Sequence, residues 1–342
     1  MQMNKIKICL VGIGSIGRRH LRLLSERDDV LLCVVDPSAA SKEHVASKHP
    51  GIVCYDSMDE AIAAEKPDAM LIATPHQMHS KMAIQALNAG LHVFCEKPMS
   101  DSMEDCVKML ECAKKSDKVF SVGFMFRFDP FIRKIKELID TGVLGNIVHY
   151  NSRFASYNIL LCSVTKHQEN TPYSLVMDCI HDTDLLHYLT GSAPDYVYSH
   201  AMKAGNLELS SPQNLIDSLY RWEDKGVSAN VHFNYIEHPQ VHTLEILGDK
   251  GFVKGDFADG SIILGTREDN KIEHISAARD FDNVYREQLD HFIRAIRGEV
   301  EPENKAESAI MSTLLMQAQK EAAMCGHEVN IHEVAARYGF EY

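Results

Sequence analysis

The stretch from Ile6 to Gly17, which reads IKICLVGIGSIG, decides the fold of the first part of this 342-residue chain. A strand pattern runs directly into a G-x-G-x-x-G turn, and a helical pattern follows. In that context the first glycine permits a tight turn, the second lets a pyrophosphate approach the backbone, and the third lets the helix pack closely on the strand. The alternative is an ordinary glycine turn. The context favours a dinucleotide-binding loop made of Gly12, Gly14, Ser15, Ile16 and Gly17.

A carboxylate ends the second strand pattern, which runs over residues 30–36 and finishes on Asp36. At this distance from the glycine loop, a carboxylate can bind the ribose diol of an adenosine and repels a 2′-phosphate. Arg18 and Arg19 are alternative ligands for such a phosphate, but no arginine follows Asp36 directly. The pattern therefore favours NAD over NADP.

Two regions of different pattern divide the chain. Residues 1–122 alternate short β-branched runs with helical patterns, which predicts an α/β domain with a doubly wound parallel sheet of the Rossmann type. Residues 123–342 contain longer alternating stretches and amphipathic helices, which predicts an α+β domain with antiparallel strands. The predicted strands of both domains cover residues 6–11, 30–36, 69–74, 91–95, 119–122, 147–154, 227–235 and 242–247.

Composition excludes several classes of protein. Hydrophobic residues make up 45% and charged residues 24%, as in ordinary globular proteins, and no apolar run reaches the ~20 residues that span a bilayer. A net charge of −13 disfavours nucleic acid and anionic membranes as partners. The nine cysteines form no Cys-x-x-Cys pair, and the start of the chain has no signal-peptide pattern. We expect a cytoplasmic protein without disulfides.

The loop from Thr74-Pro75 to His79 follows an apolar strand, so it is predicted to lie over the nucleotide crevice and to pack on the nicotinamide half of a cofactor. His76 and His79 have a spacing that a metal site could use. The loop supplies no third ligand, so we expect no metal.

Glu96-Lys97-Pro98 ends another apolar strand. Pro98 disfavours a helical conformation at Lys97 and so extends the strand end. A lysine at the carboxyl edge of a parallel sheet, beside a nicotinamide ring, can hydrogen-bond the oxygen of an alcohol whose carbon is losing hydride. The alternative is a surface ion pair, which contributes ~0–1 kcal/mol.

Asp178, His181 and Asp184 recur every three residues and are predicted to share one face at a helix start. A histidine oriented by a carboxylate is the usual general base for a hydroxyl proton. The alternative is a helix cap with a buried core histidine. The nucleotide site elsewhere in the chain favours the catalytic interpretation.

Taken together, these motifs resemble the Gfo/Idh/MocA family of oxidoreductases over nearly the whole chain. The resemblance implies an N-terminal Rossmann domain and a C-terminal domain with an open, mostly antiparallel sheet, whose C-terminal helix can pack back on the first domain. It also implies NAD(P)-linked chemistry on a sugar or cyclitol hydroxyl, and homo-oligomers that form through the C-terminal sheet.

The resemblance also implies roles for individual residues. Lys97 would be the catalytic lysine, His181 the proton-transferring histidine, and Asp178 a substrate-contacting carboxylate. Many members separate the last two by four positions, whereas here the separation is three. The cofactor-binding residues outside the glycine loop would be Asp36, Thr74, Pro75, His79, Glu96, Lys97 and Arg127.

The region 156–174 lacks the tryptophan- and glycine-rich pattern of several sugar-nucleotide branches, so no substrate residues are carried over to it. It contains polar side chains that could line a pocket or form an ordinary polar loop, namely Tyr157, Lys166, His167, Gln168 and Tyr173. The expected activity is NAD-dependent oxidation of a secondary hydroxyl of a sugar, glycoside or cyclitol. By family precedent, the preferred version is C3 of a pyranoside. The alternatives are a sugar-nucleotide dehydrogenase and a non-catalytic regulator that senses NAD or sugar.

Overall fold

The fold is taken from a computed structural model that describes residues 5–163 and 166–342. The first four residues, which entered the expectation of a missing signal segment, lie outside the described residues. So do residues 164 and 165, within the predicted polar region.

The chain divides into two compact units. The first contains residues 1–125 and 281–310, and the second contains residues 126–280 and 311–342. The compact units meet in the chain at residues 125 and 126, and a late segment of the chain belongs to the first unit. The domain boundary between residues 122 and 123 stays a prediction.

The sheet of the first unit has six parallel strands in the order β3-β2-β1-β4-β5-β6. The strands are β1 (Ile6–Val11), β2 (Val30–Val35), β3 (Cys54–Tyr55), β4 (Ala69–Ile72), β5 (His92–Cys95) and β6 (Phe120–Val122). The strand order reverses between β1 and β4, which is the point where open α/β sheets bind ligands beyond the carboxyl ends of their strands. The predicted doubly wound sheet is confirmed.

Among its described residues, the α-helices that lie wholly within this unit are α1 (Ser15–Ser25), α2 (Ala39–Lys48), α3 (Met58–Glu65), α4 (His79–Asn88), α5 (Met103–Lys115) and α11 (Phe281–Ile296). Helix α11 comes from late in the chain and contacts α1. Arg22 of α1 donates a 2.6 Å hydrogen bond to Asp282 of α11. Segment 281–296 therefore completes the packing around the first helix.

The second unit contains a nine-stranded sheet in the order β14-β13-β12-β11-β7-β10-β9-β8-β15. Its strands are β7 (Ile147–Ala155), β8 (Tyr196–Met202), β9 (Leu215–Trp222), β10 (Val227–Asn234), β11 (Val241–Gly248), β12 (Gly251–Asp256), β13 (Ser261–Thr266), β14 (Lys271–Ser276) and β15 (Val329–Asn330). All neighbouring pairs are antiparallel except β7 and β10. This confirms the predicted open, mostly antiparallel sheet.

The remaining helices are α6 (Pro130–Asp140), α7 (Asn158–Cys162), α8 (His167–Asn170), α9 (Ser174–Asp178), α10 (Ile180–Thr190), α12 (Ala306–Cys325) and α13 (Ile331–Ala336). Side chains alternate between buried and accessible along β9 and β10, so one face of the sheet is covered. Helix α10 contacts β7, and α9 contacts β9 and β10. The opposite face leaves Tyr198 and Leu219 exposed. Among the described residues no helix is long and apolar enough to cross a membrane.

Candidate active site

The glycine loop connects β1 to α1 through a conformation that only glycine tolerates. Gly12 has φ of +91°, and a Cβ placed on it would lie 2.8 Å from the carbonyl oxygen of Ala73. A Cβ on Gly17 would lie 2.0 Å from the carbonyl oxygen of Gly12. The loop is therefore closed by glycine at both ends, as the sequence predicts.

Asp36 lies beside this loop, at the end of β2. Its Oδ2 accepts a 2.8 Å hydrogen bond from the Ile13 N–H, and its Oδ1 accepts one of 2.9 Å from the Ser38 N–H. The two arginines considered as phosphate ligands point to protein groups instead. Arg18 donates to the Ile13 carbonyl, and the Arg19 Nε lies 3.7 Å from Asp282. The carboxylate of Asp36 thus hydrogen-bonds the loop directly at this end.

A cleft of about 740 Å³ opens beside the loop and Asp36. It is lined by Val11, Gly12, Ile13, Gly14, Val35, Asp36, Pro37, Asp56, Ser57, Met58, Asp59, Ala73, Thr74, Pro75, Gln77, Met78, Lys81, Met82 and Gln85. A Cβ on Gly14 would meet no atom within 4 Å, so the backbone is open to a ligand there. Glycine turn, carboxylate and cleft together fit a dinucleotide, which would be held by the loop N–H groups and by Asp36.

The strand end after β5 places Glu96 and Lys97 in different environments. Glu96 is buried, and its Oε1 lies 2.7 Å from Nε2 of His20. Its Oε2 accepts a 3.2 Å hydrogen bond from the Lys97 N–H. Lys97 itself is half-buried. The surface ion pair considered for the sequence Glu96-Lys97 is not present, because the carboxylate points inward to a histidine.

His79 begins α4 and is buried. Its Nδ1 lies 2.9 Å from the carbonyl oxygen of Pro98, and its Nε2 lies 2.9 Å from that of Thr74. Both ring nitrogens therefore face backbone carbonyls, which argues against a metal-ligand role. Among residues 5–163 and 166–342, no group of three or more His, Cys, Asp or Glu side chains is arranged to hold a metal ion.

His181 lies in the first turn of α10, in the second unit, with its ring centroid 4.9 Å from that of Phe126. The next residue, Asp182, is buried and accepts a 2.6 Å hydrogen bond from Ser152, and it lies 3.0 Å from Nε2 of His242. This contact ties the first turn of α10 to β7 and β11. The backbone that carries His181 is thus fixed by its neighbour in sequence.

Asp178 is the last residue of α9, which is separated from α10 by Cys179. The expectation that Asp178, His181 and Asp184 share one face of a single helix is therefore not met. Oδ2 of Asp178 accepts hydrogen bonds from Gln168 (3.0 Å) and from the hydroxyl of Tyr235 (2.5 Å). Burial raises the pKa of Tyr235, and the negative charge of Asp178 raises it further. The phenol therefore stays protonated and donates the hydrogen bond to Asp178.

Arg127 was expected among the cofactor-binding residues, and the structure places it beside α10. It donates to both carboxylate oxygens of Asp184, at 2.9 Å from Nε and 2.5 Å from Nη2, and is 3% exposed. Ser312 also donates to Asp184. A direct cofactor contact by Arg127, His79 or Glu96 stays a prediction.

Two residues that contact predicted site residues, one in each unit, were missed in the sequence. His20 faces Glu96 from the buried side of α1, and Tyr235 donates to Asp178 from the end of β10. A histidine among apolar positions of a helix is a local signal for a buried polar partner. Tyr235 carries no such signal, because a tyrosine at the end of a strand is common.

These features define a class: an oxidoreductase with a Rossmann dinucleotide site and a second, sheet-based domain. Residues 6–124 match the NAD-binding Rossmann fold of an oxidoreductase family, and residues 136–331 match the C-terminal α/β domain of the same family. The chain belongs to this family, Gfo/Idh/MocA, and the predicted use of NAD is confirmed.

Two relatives and one solved structure show the range of the family. The chain is 28% identical over 313 residues to scyllo-inositol 2-dehydrogenase (NAD+) of Bacillus subtilis strain 168, covering 86% of this chain and 87% of the relative. It is 28% identical over 282 residues to 2,7-anhydro-N-acetylneuraminate hydratase of Escherichia coli strain K12, covering 80% and 74%. Scyllo-inositol dehydrogenase of Lactobacillus casei, solved with NAD(H) and scyllo-inositol, has a TM-score of 0.81 at 24% identity, covering 96% and 99%.

Proposed function

We propose that this protein oxidises a secondary hydroxyl of a cyclitol or sugar by transferring hydride to NAD. The observation that carries the proposal is Lys97, a half-buried lysine at the carboxyl end of β5 in an NAD-binding unit. A buried strand end has no structural need for an ammonium group, whereas an alcohol that becomes a ketone needs a donor at its oxygen.

Each reacting group has one task in this proposal. Bound NAD supplies the hydride acceptor. Lys97 donates a hydrogen bond to the substrate oxygen and stabilises its developing negative charge. His181 accepts the hydroxyl proton, and Asp178 holds a neighbouring hydroxyl, with its carboxylate fixed by Gln168 and Tyr235.

The relatives support the proposed substrate class. The relative from Bacillus subtilis is named for scyllo-inositol and NAD. We therefore place inositols first, and oxidation at C3 of a pyranoside, the version expected from the sequence, second.

The test is a panel of inositols, glycosides, free sugars and UDP-sugars with NAD, followed at the absorbance of NADH. We expect turnover with at least one polyol. Lys97→Met keeps the length of the side chain and removes the donor, and we expect it to lower kcat by about 10²- to 10³-fold with the Kd of NADH nearly unchanged. Wild-type turnover by Lys97→Met would remove Lys97 from the mechanism. A panel without turnover, together with retained NADH binding, would favour the regulator.

A second candidate is a reaction without net redox change, in which NAD stays bound and returns the hydride. The similarity to a protein named as a hydratase favours it. Product analysis by mass spectrometry without added NAD distinguishes the two, since only the second candidate then turns over repeatedly.

We further propose that the open face of the nine-stranded sheet forms a contact between copies of this chain. Tyr198 and Leu219 are paired across β8 and β9 and are 39% and 56% exposed. Neighbouring exposed apolar side chains of this size favour burial against a second sheet. Leu219→Lys is expected to lower the mass measured by light scattering, whereas Leu161→Lys, an exposed leucine of α7, should leave it unchanged.

A further inference from the structure

Both neighbours of Lys97 in the sequence are held by buried histidines of the first unit. Glu96 contacts His20 of α1, and the carbonyl of Pro98 contacts His79 of α4. His20 is 0% exposed and His79 is 1% exposed. Glu96, Pro98 and Met99 are buried as well, so Lys97 is a half-buried residue in an otherwise buried turn.

Nε2 of His20 and Oε1 of Glu96 share a hydrogen bond of 2.7 Å. With Glu96 as a carboxylate, which only accepts hydrogen bonds, the hydrogen lies on Nε2. The other nitrogen, Nδ1, is buried and makes no hydrogen bond to the described residues. The ring lies between Phe94 and Tyr285, each with a centroid 5.7 Å away. A buried nitrogen without a hydrogen-bond partner is unfavourable. An apolar side chain would fill this position without that cost, so packing alone does not explain a histidine here.

The other oxygen of Glu96 acts on Lys97 directly. Oε2 accepts a hydrogen bond from the backbone N–H of Lys97 at 3.2 Å. One carboxylate thus joins the imidazole of α1 to the main chain that carries the lysine. If His20 no longer donates, Oε1 is buried without its partner, and the carboxylate can leave Lys97 to find another donor.

His79 fixes the far side of the same turn. Its two nitrogens lie 2.9 Å from carbonyl oxygens at the ends of two adjacent strands, Thr74 after β4 and Pro98 after β5. Because Thr74 also lines the nucleotide cleft, this ring links the wall of the cleft to the lysine turn.

We propose that His20 and His79 are positioning residues, which fix the main chain on both sides of Lys97 and so set where its ammonium group lies. The inference rests on the proposed role of Lys97 in the reaction. Displacement of a catalytic group by about 1 Å can lower a rate by about 100-fold, so a turn held from both sides matters for turnover even though neither imidazole contacts the substrate.

The experiment compares His20→Gln with His20→Asn. Both put a neutral amide in the place of the ring. The glutamine amide reaches about as far as Nε2 and can donate to Glu96, whereas the asparagine amide is one methylene shorter and cannot. Leu24→Ala is the control, because Leu24 is buried one turn further along α1. All variants are measured as full-length protein.

Two readouts separate positioning from general stability. The first is hydrogen exchange of the backbone amides of Glu96, Lys97 and Met99 (Pro98 has none), which needs no substrate. We expect His20→Asn to exchange at least about tenfold faster there, with His20→Gln and Leu24→Ala near wild type. The second is kcat with the active polyol of the panel. His20→Asn should lower kcat by about 10- to 100-fold with the Kd of NADH within about threefold, and His20→Gln should restore most of it.

For the second histidine, His79→Leu should speed exchange in the same segment. Combined with His20→Asn, it should lower kcat by less than the product of the single effects, because both act on one turn. Unchanged exchange at residues 96–99 in His20→Asn, or an equal loss in Leu24→Ala, would overturn the inference. An active Lys97→Met would refute the proposed mechanism instead, and the exchange result would still decide whether the histidines fix the turn.

Discussion

The guanidinium of Arg127 and the carboxylate of Asp184 form a two-point hydrogen-bonded ion pair, and both side chains are almost fully buried. Removing one partner leaves the other charged and buried. We expect Arg127→Ala to lower the free energy of unfolding by ~3–5 kcal/mol. Arg127→Met with Asp184→Leu should recover much of this loss, because neither charge remains. Chemical denaturation of the wild type, Arg127→Ala and the double variant measures the effect, and an Arg127→Ala protein as stable as the wild type would contradict it.

Asp36 has two predicted effects: its carboxylate holds the glycine loop, and its negative charge selects NAD over NADP. Asp36→Asn keeps an oxygen for the Ile13 N–H and removes the negative charge. A hydrogen bond to a charged group contributes about 1.5–3 kcal/mol, so the preference in kcat/KM for NAD over NADP should fall by about 10- to 100-fold. Asp56→Asn is the control, since Asp56 lines the same cleft but pairs with Lys42. An unchanged preference in Asp36→Asn would mean that another group selects the cofactor.

Adding a methyl group to two glycines of the loop should affect two different properties: NADH binding at Gly14 and thermal stability at Gly17. A Cβ on Gly14 meets nothing, so Gly14→Ala should fold with a Tm near that of the wild type and bind NADH at least about tenfold more weakly. A Cβ on Gly17 would overlap the carbonyl of Gly12, so Gly17→Ala should lower the Tm itself. Thermal unfolding and NADH fluorescence together measure both effects. Wild-type NADH affinity in Gly14→Ala would mean that the pyrophosphate does not approach this backbone.

His92 makes the stability of the first unit depend on pH. Burial lowers the pKa of His92, with the nearby Lys118 lowering it further, and Nδ1 accepts a hydrogen bond from the Val119 N–H. The unfolded chain therefore takes up a proton near pH 6.5 that the folded chain does not. This contribution to stability is complete above the unfolded pKa and is lost as the pH falls below it.

The Tm should consequently decline between pH 7 and pH 5 more steeply in the wild type than in His92→Asn, whose amide oxygen can accept the same bond without titrating. His200→Asn, at an exposed position of β8, should follow the wild type. Parallel Tm profiles for wild type and His92→Asn would rule out the assignment.

The features that local sequence patterns predicted are those that depend on interactions between residues close together in the sequence. The glycine loop, Asp36 and the strand end at Lys97 lie where the sequence placed them, because each follows a buried parallel strand whose apolar run is visible. The strands β8, β9, β12, β13 and β14 were not predicted. Each has accessible positions along its length, and its pairing in the sheet is what identifies it.

Contacts between distant residues were also beyond prediction. His20 and Glu96 are 76 positions apart, and no local pattern connects them. The break at Cys179 was hidden for a similar reason. Asp178 turns to Gln168 and Tyr235, and those partners become evident only when α8 and β10 are in place. Tertiary contacts of this kind override a regular three-residue spacing.

Among the described strands of the nine-stranded sheet, β7 and β10 form the one parallel pair, which has a consequence for how the second unit folds. Antiparallel neighbours joined by short turns, such as β12 and β13, can form their hydrogen bonds one after another, starting at the turn. The pair of β7 and β10 cannot form in this way, because the long stretch of chain between Ala155 and Val227 separates the two strands in sequence. Closing such a long loop costs conformational entropy, which slows this step. The antiparallel pairs on either side should therefore form early, and the pair of β7 and β10 late. The segment that carries His181 belongs to that long connection, and we therefore expect it to reach its final place late in folding.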